Sequence, residues 1–343
     1  MTPKEALAAV VARRDLAGDE LASAFEAVLA GGATPAQVGA LLVGLRLKGE
    51  TPEELAAAAR VLRRHVVPLP DAPAGAVDTC GTGGDGVHTF NISTAAALVV
   101  AACGVPVAKH GNRAVSGSVG SADVLERLGV RLELPPAALV ACLRETGIAF
   151  LFAPAFHPAL RQLAAVRREL GVRTFLNLLG PLVNPAGVRR QVVGVAEAGL
   201  VEPIARVLLA LGAERAWVVH GSGGLDEIAL CGPTEVAEVA GGVVRRFTVA
   251  PADAGLAPAP IDALVVDGTV ASAACIRAVL DGTPGPARDV VCLNAGAVLV
   301  VAGVAWDLAA GVARAAAAID AGAARQLLAR LVAFTAGAAE GAA

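Results

Sequence analysis

Ala76-Val77-Asp78-Thr79-Cys80-Gly81-Thr82-Gly83-Gly84-Asp85-Gly86 decides how this chain is read. A short strand candidate, 76–80, runs straight into a glycine-rich turn. The turn contains G-x-G-x-x-G. Dinucleotide binding also needs an acid about 20 residues on, at the end of the second strand. The corresponding zone, 101–108, holds none, and the Gly-Lys-Ser/Thr of a Walker loop is absent. Two readings remain: an ordinary strand exit, or a loop whose bare backbone approaches an anion closely.

Three segments downstream bear on that choice. Thr89-Phe90-Asn91-Ile92-Ser93-Thr94 puts hydroxyls and an amide where a helix over 93–103 begins. A helix N-terminus offers free N–H groups and a positive dipole end to a phosphate; simple capping by Ser93 or Thr94 is the plainer alternative. After a strand at 105–108 comes Lys109-His110-Gly111-Asn112-Arg113-Ala114-Val115-Ser116-Gly117-Ser118-Val119-Gly120-Ser121. An exposed turn can look like this. So can a cationic lid over a diphosphate, with Lys109 as point charge and backbone N–H groups as donors. Gly221-Ser222-Gly223-Gly224-Leu225-Asp226-Glu227 follows a strand at 215–219. Adjacent carboxylates there suit Mg²⁺, which binds few protein oxygens and bridges to substrate phosphates; a solvated acidic pair is the bland reading. Arg161, Arg167, Arg168 and Arg173 lie on or just past a helix at 158–170. Arg161 and Arg168, seven apart, would share a face. A solvated basic face and one buried guanidinium forking a carboxylate both fit.

Around these motifs the pattern alternates: helices at 121–128, 136–146 and 201–211, strands at 148–152 and 191–195. Strand-helix alternation implies a mostly parallel sheet under helical cover. Segments 235–240 and 243–249 flank Gly241-Gly242 as a hairpin, and the last 75 residues read as mainly helical. The first 66 residues show no strand pattern. Thr34-Pro35-Ala36-Gln37 and Thr51-Pro52-Glu53-Glu54 are helix starts, and Val38, Leu41, Leu42 and Leu45 make one apolar stripe. The fold class expected is a small all-α N-terminal domain, 1–69, joined through the proline-rich 68–73 to a larger α/β domain, 74–343, with a central sheet.

Composition narrows the function classes. The chain has 343 residues and a net charge of −3. Hydrophobic residues make up 55% and charged residues 17%, which excludes a disordered chain. Bulk charge gives poor support for nucleic-acid binding, and aromatics at 3%, with no Tyr, leave few stacking platforms. The apolar stretches 94–108 and 290–306 are too short or too interrupted to span a membrane. Met1-Thr2-Pro3-Lys4-Glu5 opens no signal peptide, so a cytoplasmic location is expected. Cys80, Cys103, Cys142, Cys231, Cys275 and Cys292 form no C-x-x-C and read as reduced core residues.

Taken together, these motifs resemble the anthranilate phosphoribosyltransferase family. Gly81-Thr82-Gly83-Gly84-Asp85, Asn91-Ile92-Ser93-Thr94, Lys109-His110-Gly111-Asn112-Arg113 and Gly224-Leu225-Asp226-Glu227 carry the likeness. So do Leu45-Arg46-Leu47-Lys48-Gly49-Glu50-Thr51 and Asn177-Leu178-Leu179-Gly180-Pro181-Leu182-Val183-Asn184-Pro185. The resemblance implies transfer of a phosphoribosyl group from phosphoribosyl diphosphate to anthranilate in tryptophan synthesis. It also implies a homodimer through the helical domain, and mid-chain helices near 158–188 that return to that domain. It places the diphosphate substrate on Gly81, Gly84, Asp85, Thr89, Asn91, Ile92, Ser93, Thr94, the run Lys109, His110, Gly111, Asn112, Arg113, Ala114, Val115, Ser116, Gly117, and Ser121. Mg²⁺ falls to Ser93, Asp226 and Glu227. Anthranilate falls to Asn112 and Arg167, with Gly81, His110 and Pro181 lining its route; Lys109, Asp226, Glu227 and Arg167 are the catalytic set. Two departures from the family pattern, Ser272-Ala273 for Asn-Ala and the alanine- and proline-rich 250–260, are expected to lie away from the site. Pyrimidine nucleoside phosphorylases share the Lys-His and glycine loops but fit Asn112-Arg113 and 177–185 poorly. A nucleic-acid-binding relative of the fold would want a basic groove.

Overall fold

The computed structural model describes residues 1–114 and 119–340. Four helices come first: α1 (Pro3–Val11), α2 (Gly18–Leu29), α3 (Pro35–Lys48) and α4 (Pro52–His65). The starts of α1, α3 and α4 are capping boxes with proline in the first turn: Thr2, Thr34 and Thr51 accept from the backbone three residues on, while Glu5, Gln37 and Glu54 reach back. Each box satisfies two N–H groups that a helix start otherwise leaves free. The stripe Val38, Leu41, Leu42 and Leu45 is buried. The run 45–51 is a joint. Lys48 Nζ donates to Asp15 Oδ1 at 2.6 Å and Glu54 Oε2 at 3.0 Å, and Glu54 Oε1 accepts from the Leu16 N–H at 2.9 Å. This buried pair fastens the α1–α2 loop to the α3–α4 turn.

The rest of the chain runs β1 (Val77–Asp78), α5 (Ile92–Ala102), β2 (Val107–Gly111), α6 (Ser121–Leu128), α7 (Pro136–Thr146), β3 (Ile148–Phe152), α8 (Ala153–Phe156) and α9 (Ala164–Leu170). Next come β4 (Arg190–Gly194), α10 (Val201–Ala210), β5 (Arg215–Gly221), β6 (Thr234–Ala240) and β7 (Val243–Val249). Four helices close it: α11 (Gly268–Leu280), α12 (Pro286–Ala302), α13 (Leu308–Asp320) and α14 (Ala323–Glu340). The sheet order is β3-β2-β1-β4-β5-β6-β7. β1 to β5 are parallel, and the hairpin β6–β7 adds two antiparallel strands at one edge. Its turn is Gly241-Gly242, both at positive φ, as a two-residue hairpin turn requires.

Strand side chains alternate between two cores. Val192, Trp217, Val219 and Val236 face the core built with α5, α7, α12, α13 and α14. Val193, Ala216, Val218 and Ala237 face a second core that includes α10 and the N-terminal helices. Leu163, Val166, Phe175 and Leu179 are buried in this second core, where the Phe175 ring meets Phe25 edge-on, centroids 5.6 Å apart.

Several local expectations are corrected. The strand expected at 105–108 covers Val107–Gly111, so Lys109 and His110 lie within a strand rather than in the loop after it. The helix expected over 158–170 is a tight 3₁₀ segment, Pro158–Leu163, followed by α9. The helical spacing between Arg161 and Arg168 therefore does not hold, and Arg161 donates to the Pro154 carbonyl instead. Among the cysteines only Cys142 and Cys292 are buried, and Cys231 is exposed.

Candidate active site

Strand order sets the location. The chain leaves β1 toward β2 and β3 on one side, then returns to β4 and β5 on the other. The reversal opens a crevice at the carboxyl ends of β1 and β4, the place where open α/β sheets bind ligands. Residues 81–86 sit there, tied to the end of β4 by the Thr82 N–H, which donates to the Gly194 carbonyl at 2.8 Å.

Opposite charges converge on this loop without cancelling. Lys109 is 3% exposed. Its ammonium donates to Thr79 Oγ1 at 2.9 Å and, at 3.3 Å each, to the Thr79 carbonyl and Ser93 Oγ. All three acceptors are neutral, so a buried cation is held in place without a direct anion. Asn91 is the N-cap of α5, with no side-chain cap bond, and the Ser93 N–H donates to Glu227 Oε1 at 3.0 Å. Neither Ser93 nor Thr94 is a simple cap; the Thr94 hydroxyl is buried with no partner. Burial pushes the Asp226 carboxyl well above the usual range, and the charge of Asp85 beside it pushes further. Burial raises Glu227 as well, reinforced by Asp226, while Lys109 and the Ser93 N–H pull it down. Among the described residues no group of three or more His, Cys, Asp or Glu forms a ready-made metal cage. The donor chemistry nevertheless fits Mg²⁺: mutually repelling carboxylate oxygens are what a hard dication relieves, with remaining positions left for water and substrate oxygens.

Behind the crevice a polar network fixes β1 against β2. Asp78, fully buried, accepts from the Thr79 N–H at 2.7 Å, the His110 N–H at 3.1 Å and Asn184 Nδ2 at 2.7 Å. Asn184 also donates to the Ala108 carbonyl at 2.9 Å. The segment 177–185 is thereby pinned beside the strand that carries Lys109 and His110. His110 Nδ1 donates to the Gly180 carbonyl at 3.0 Å, which leaves Nε2 to accept from His157 Nε2 at 3.1 Å. Burial lowers His110 to about 4 and His157 to about 3, so both rings are neutral near pH 7. The unfolded chain therefore takes up protons below pH 6.5 that the folded chain refuses. Stability present above pH 6.5 is lost as pH falls toward 4, on the order of 3 kcal/mol for His110 alone. Urea midpoints measured from pH 7 to 4.5 should fall steeply, and less steeply in His157→Gln; equal slopes would remove the pair as the cause.

Arg167 is half-buried, and its guanidinium has no hydrogen bond or ion pair among the described residues. Burial and the nearby Arg173 lower its pKa. Arg173, which the sequence offered only as one of four arginines, reaches the glycine loop itself. Its Nη2 donates to the Thr82 carbonyl at 2.9 Å. The guanidinium fills the space a Cβ would need at Gly84, whose φ is +84°. Other residues are placed less centrally. Ile92 is buried in the core. The Arg113 side chain turns to Glu126 and Asp123, at 2.5 and 3.0 Å, over the Phe152 ring. Lys109 is thus a floor rather than a lid, and Arg113 is already paired. Ser121 Oγ donates to the Asn112 carbonyl at 3.4 Å, and the Pro181 carbonyl accepts from Gln191. Val115, Ser116 and Gly117 lie outside the described residues. Ser272, expected away from the site, is bonded directly to Asn91.

This fold and site define a glycosyl transferase with a helical bundle and an α/β domain. Residues 4–66 match the family model described as "Glycosyl transferase family, helical bundle domain", and 74–325 match "Glycosyl transferase family, a/b domain". An anthranilate phosphoribosyltransferase of Rhodospirillum rubrum is 55% identical over 96% of this chain and 95% of its own length. The crystal structure of the Thermus thermophilus enzyme of that name superposes with a TM-score of 0.91 at 46% identity, covering 96% of this chain and 99% of that one. The Saccharomyces cerevisiae enzyme, solved in complex with PRPP and Mg, gives 0.85 at 26% identity over 94% of each chain. The chain belongs to the anthranilate phosphoribosyltransferase family.

Proposed function

We propose that this chain transfers the phosphoribosyl group of 5-phosphoribosyl 1-diphosphate to the amine of anthranilate, giving N-(5-phosphoribosyl)anthranilate and diphosphate, a step of tryptophan biosynthesis. One observation carries the reading: a buried ammonium whose hydrogen-bond partners are all neutral, and a half-buried carboxylate pair crowded by Asp85, flank the same glycine loop. A diphosphate with its magnesium supplies a counter-charge to each. In this reading Gly81, Gly84, Asp85, Thr89, Asn91, Ser93, Thr94, Lys109 and the loop to Gly117 receive the donor. Ser93, Asp226 and Glu227 hold Mg²⁺, and Asn112 and Arg167 meet anthranilate along a route past Gly81, His110 and Pro181.

The chemistry asked of these residues is modest. The bond from ribose C1 to the diphosphate oxygen breaks with its electron pair leaving on the diphosphate. The anthranilate nitrogen bonds to C1, and the amine proton passes to solvent. When bound, Mg²⁺ supplies charge neutralisation to the departing oxygens. Lys109 supplies the rest from a preorganised position, which makes its charge effective without rearrangement during the reaction. The two contacts at 3.3 Å are the ones it can exchange for a phosphate oxygen. The aromatic amine is neutral at pH 7, so alignment of nitrogen and C1 is the main task on the acceptor side. Arg167→Ala should raise the KM for anthranilate about 10- to 100-fold, the effect of one lost bond to a charged group, with little change for the donor. An unchanged anthranilate KM would sink the carboxylate role.

The same proposal takes 1–69 as one unit and 74–343 as the other, with the helices near 158–188 of the larger unit packing with the helical one, homodimerisation through the helical unit and a cytoplasmic location. No helix among the described residues is long and apolar enough to cross a membrane. The direct test mixes purified protein, Mg²⁺, phosphoribosyl diphosphate and anthranilate, and follows anthranilate fluorescence. Loss that requires all three components supports the reading; donor binding without loss would mean the wrong acceptor.

A further inference from the structure

We infer that Ser272 is a positioning residue for the donor site, acting through Asn91; the inference rests on the reading of Asn91 as a donor-binding residue. Ser272 is fully buried on α11, far from the glycine loop in sequence. Its hydroxyl makes two bonds to one residue: Oγ accepts from the Asn91 N–H at 3.1 Å and donates to Asn91 Oδ1 at 2.8 Å.

That clasp has a definite consequence. Because the hydroxyl proton goes to Oδ1, the Asn91 amide has one orientation, with its NH₂ on the opposite side. Asn91 Nδ2 there donates to the Val119 carbonyl at 2.9 Å. The chain Ser272–Asn91–Val119 therefore fixes the first residue of the α5 turn, and with it the end of the segment that starts at Lys109. Asn91 directly precedes Ile92 and Ser93, whose N–H meets Glu227. Without the hydroxyl, Asn91 keeps its bond to Val119 but loses both bonds on the other side, so the amide is held from one end only and the α5 N-terminus loosens. The pattern expected at this position was Asn, whose side chain also carries one acceptor and one donor. Serine performs both roles with a single oxygen.

The test uses full-length enzyme and steady-state kinetics with both substrates, beside calorimetric titration of the Mg²⁺-containing protein with phosphoribosyl diphosphate. Ser272→Ala should raise the donor KM and weaken donor binding about tenfold, as expected when a buried donor and acceptor lose their partner, with a much smaller change in the anthranilate KM. Thr335→Ala is the control: that hydroxyl is also buried, bonded to the Arg131 N–H at 3.2 Å and the Val332 carbonyl at 3.1 Å, on the remote α14. It should lower the melting temperature while leaving the donor KM unchanged. An unchanged donor KM in Ser272→Ala, or an equal rise in Thr335→Ala, overturns the inference. Wild-type protein that consumes no anthranilate would instead overturn the functional reading, an outcome visible before any variant is measured.

Discussion

Replacing Asp226 by Asn together with Glu227 by Gln should lower kcat by on the order of 10²–10³ and flatten the response to Mg²⁺. The exchanges keep volume and the acceptor oxygen that meets the Ser93 N–H, and remove only charge. Both carboxyls are pushed upward in pKa, first by burial and then by like charge, Asp85 acting on Asp226 and Asp226 on Glu227. A group held this way destabilises the empty fold when ionised. The double variant should therefore melt no lower than the wild type in the absence of metal, and its loss of activity would not come from unfolding. Calorimetric titration with Mg²⁺ in the presence of phosphoribosyl diphosphate gives a readout apart from turnover, and the binding heat should vanish. Turnover that remains fully Mg²⁺-dependent would refute the placement of the metal.

What was legible in the sequence is what is local. Capping boxes, the Gly241-Gly242 hairpin and the turn at 81–86 each depend on residues within a few positions of one another, so their chemistry appears in the text of the chain. Strand-helix alternation then gave the parallel sheet. The misplaced Lys109 shows the limit. A cation beside His and Gly reads as loop by polarity, yet Lys109 is buried in β2 because Thr79, just past β1, and Ser93 of α5 supply oxygens to its ammonium. Arg161 and Arg168 failed for a related reason: the spacing argument assumes unbroken α-helix, and the segment beginning at Pro158 winds as 3₁₀.

The contacts that spacing does not reveal are tertiary. Arg173 reaches Thr82 across 91 positions, and Asn184 reaches Asp78 across 106. Asp78 did carry a signal: a carboxylate inside an apolar strand must be satisfied from elsewhere, and an asparagine in the 177–185 motif was available to do so. Ser272 carried the opposite signal. It was expected to lie away from the site, yet its hydroxyl bonds Asn91 twice, a contact between α11 and the start of α5 that no local spacing reveals.

Gly194→Ala should cost about 10²-fold in kcat, the penalty for displacing a catalytic group by roughly 1 Å. Gly194 ends β4, and a Cβ there would overlap the Asp226 carbonyl, with the Asp226 Cα only 3.2 Å away. The obstacle is backbone, so no side-chain rotation relieves it. Either β4 retreats, taking along the Gly194 carbonyl that accepts from Thr82 in the glycine loop, or Asp226 moves off its position beside Asp85. Both routes separate the carboxylate pair from the loop that receives the diphosphate, so a methyl group that touches no substrate should behave like a metal-site mutation. The Mg²⁺ concentration for half-maximal rate should rise together with the donor KM. Gly199→Ala is the matched control: nothing lies within 4 Å of its would-be Cβ, and its kinetics should equal the wild type. Wild-type kcat and Mg²⁺ response in Gly194→Ala would mean that the close approach of β4 to Asp226 is not what holds the metal loop in register, and the contact at Thr82 would then have to carry that role alone.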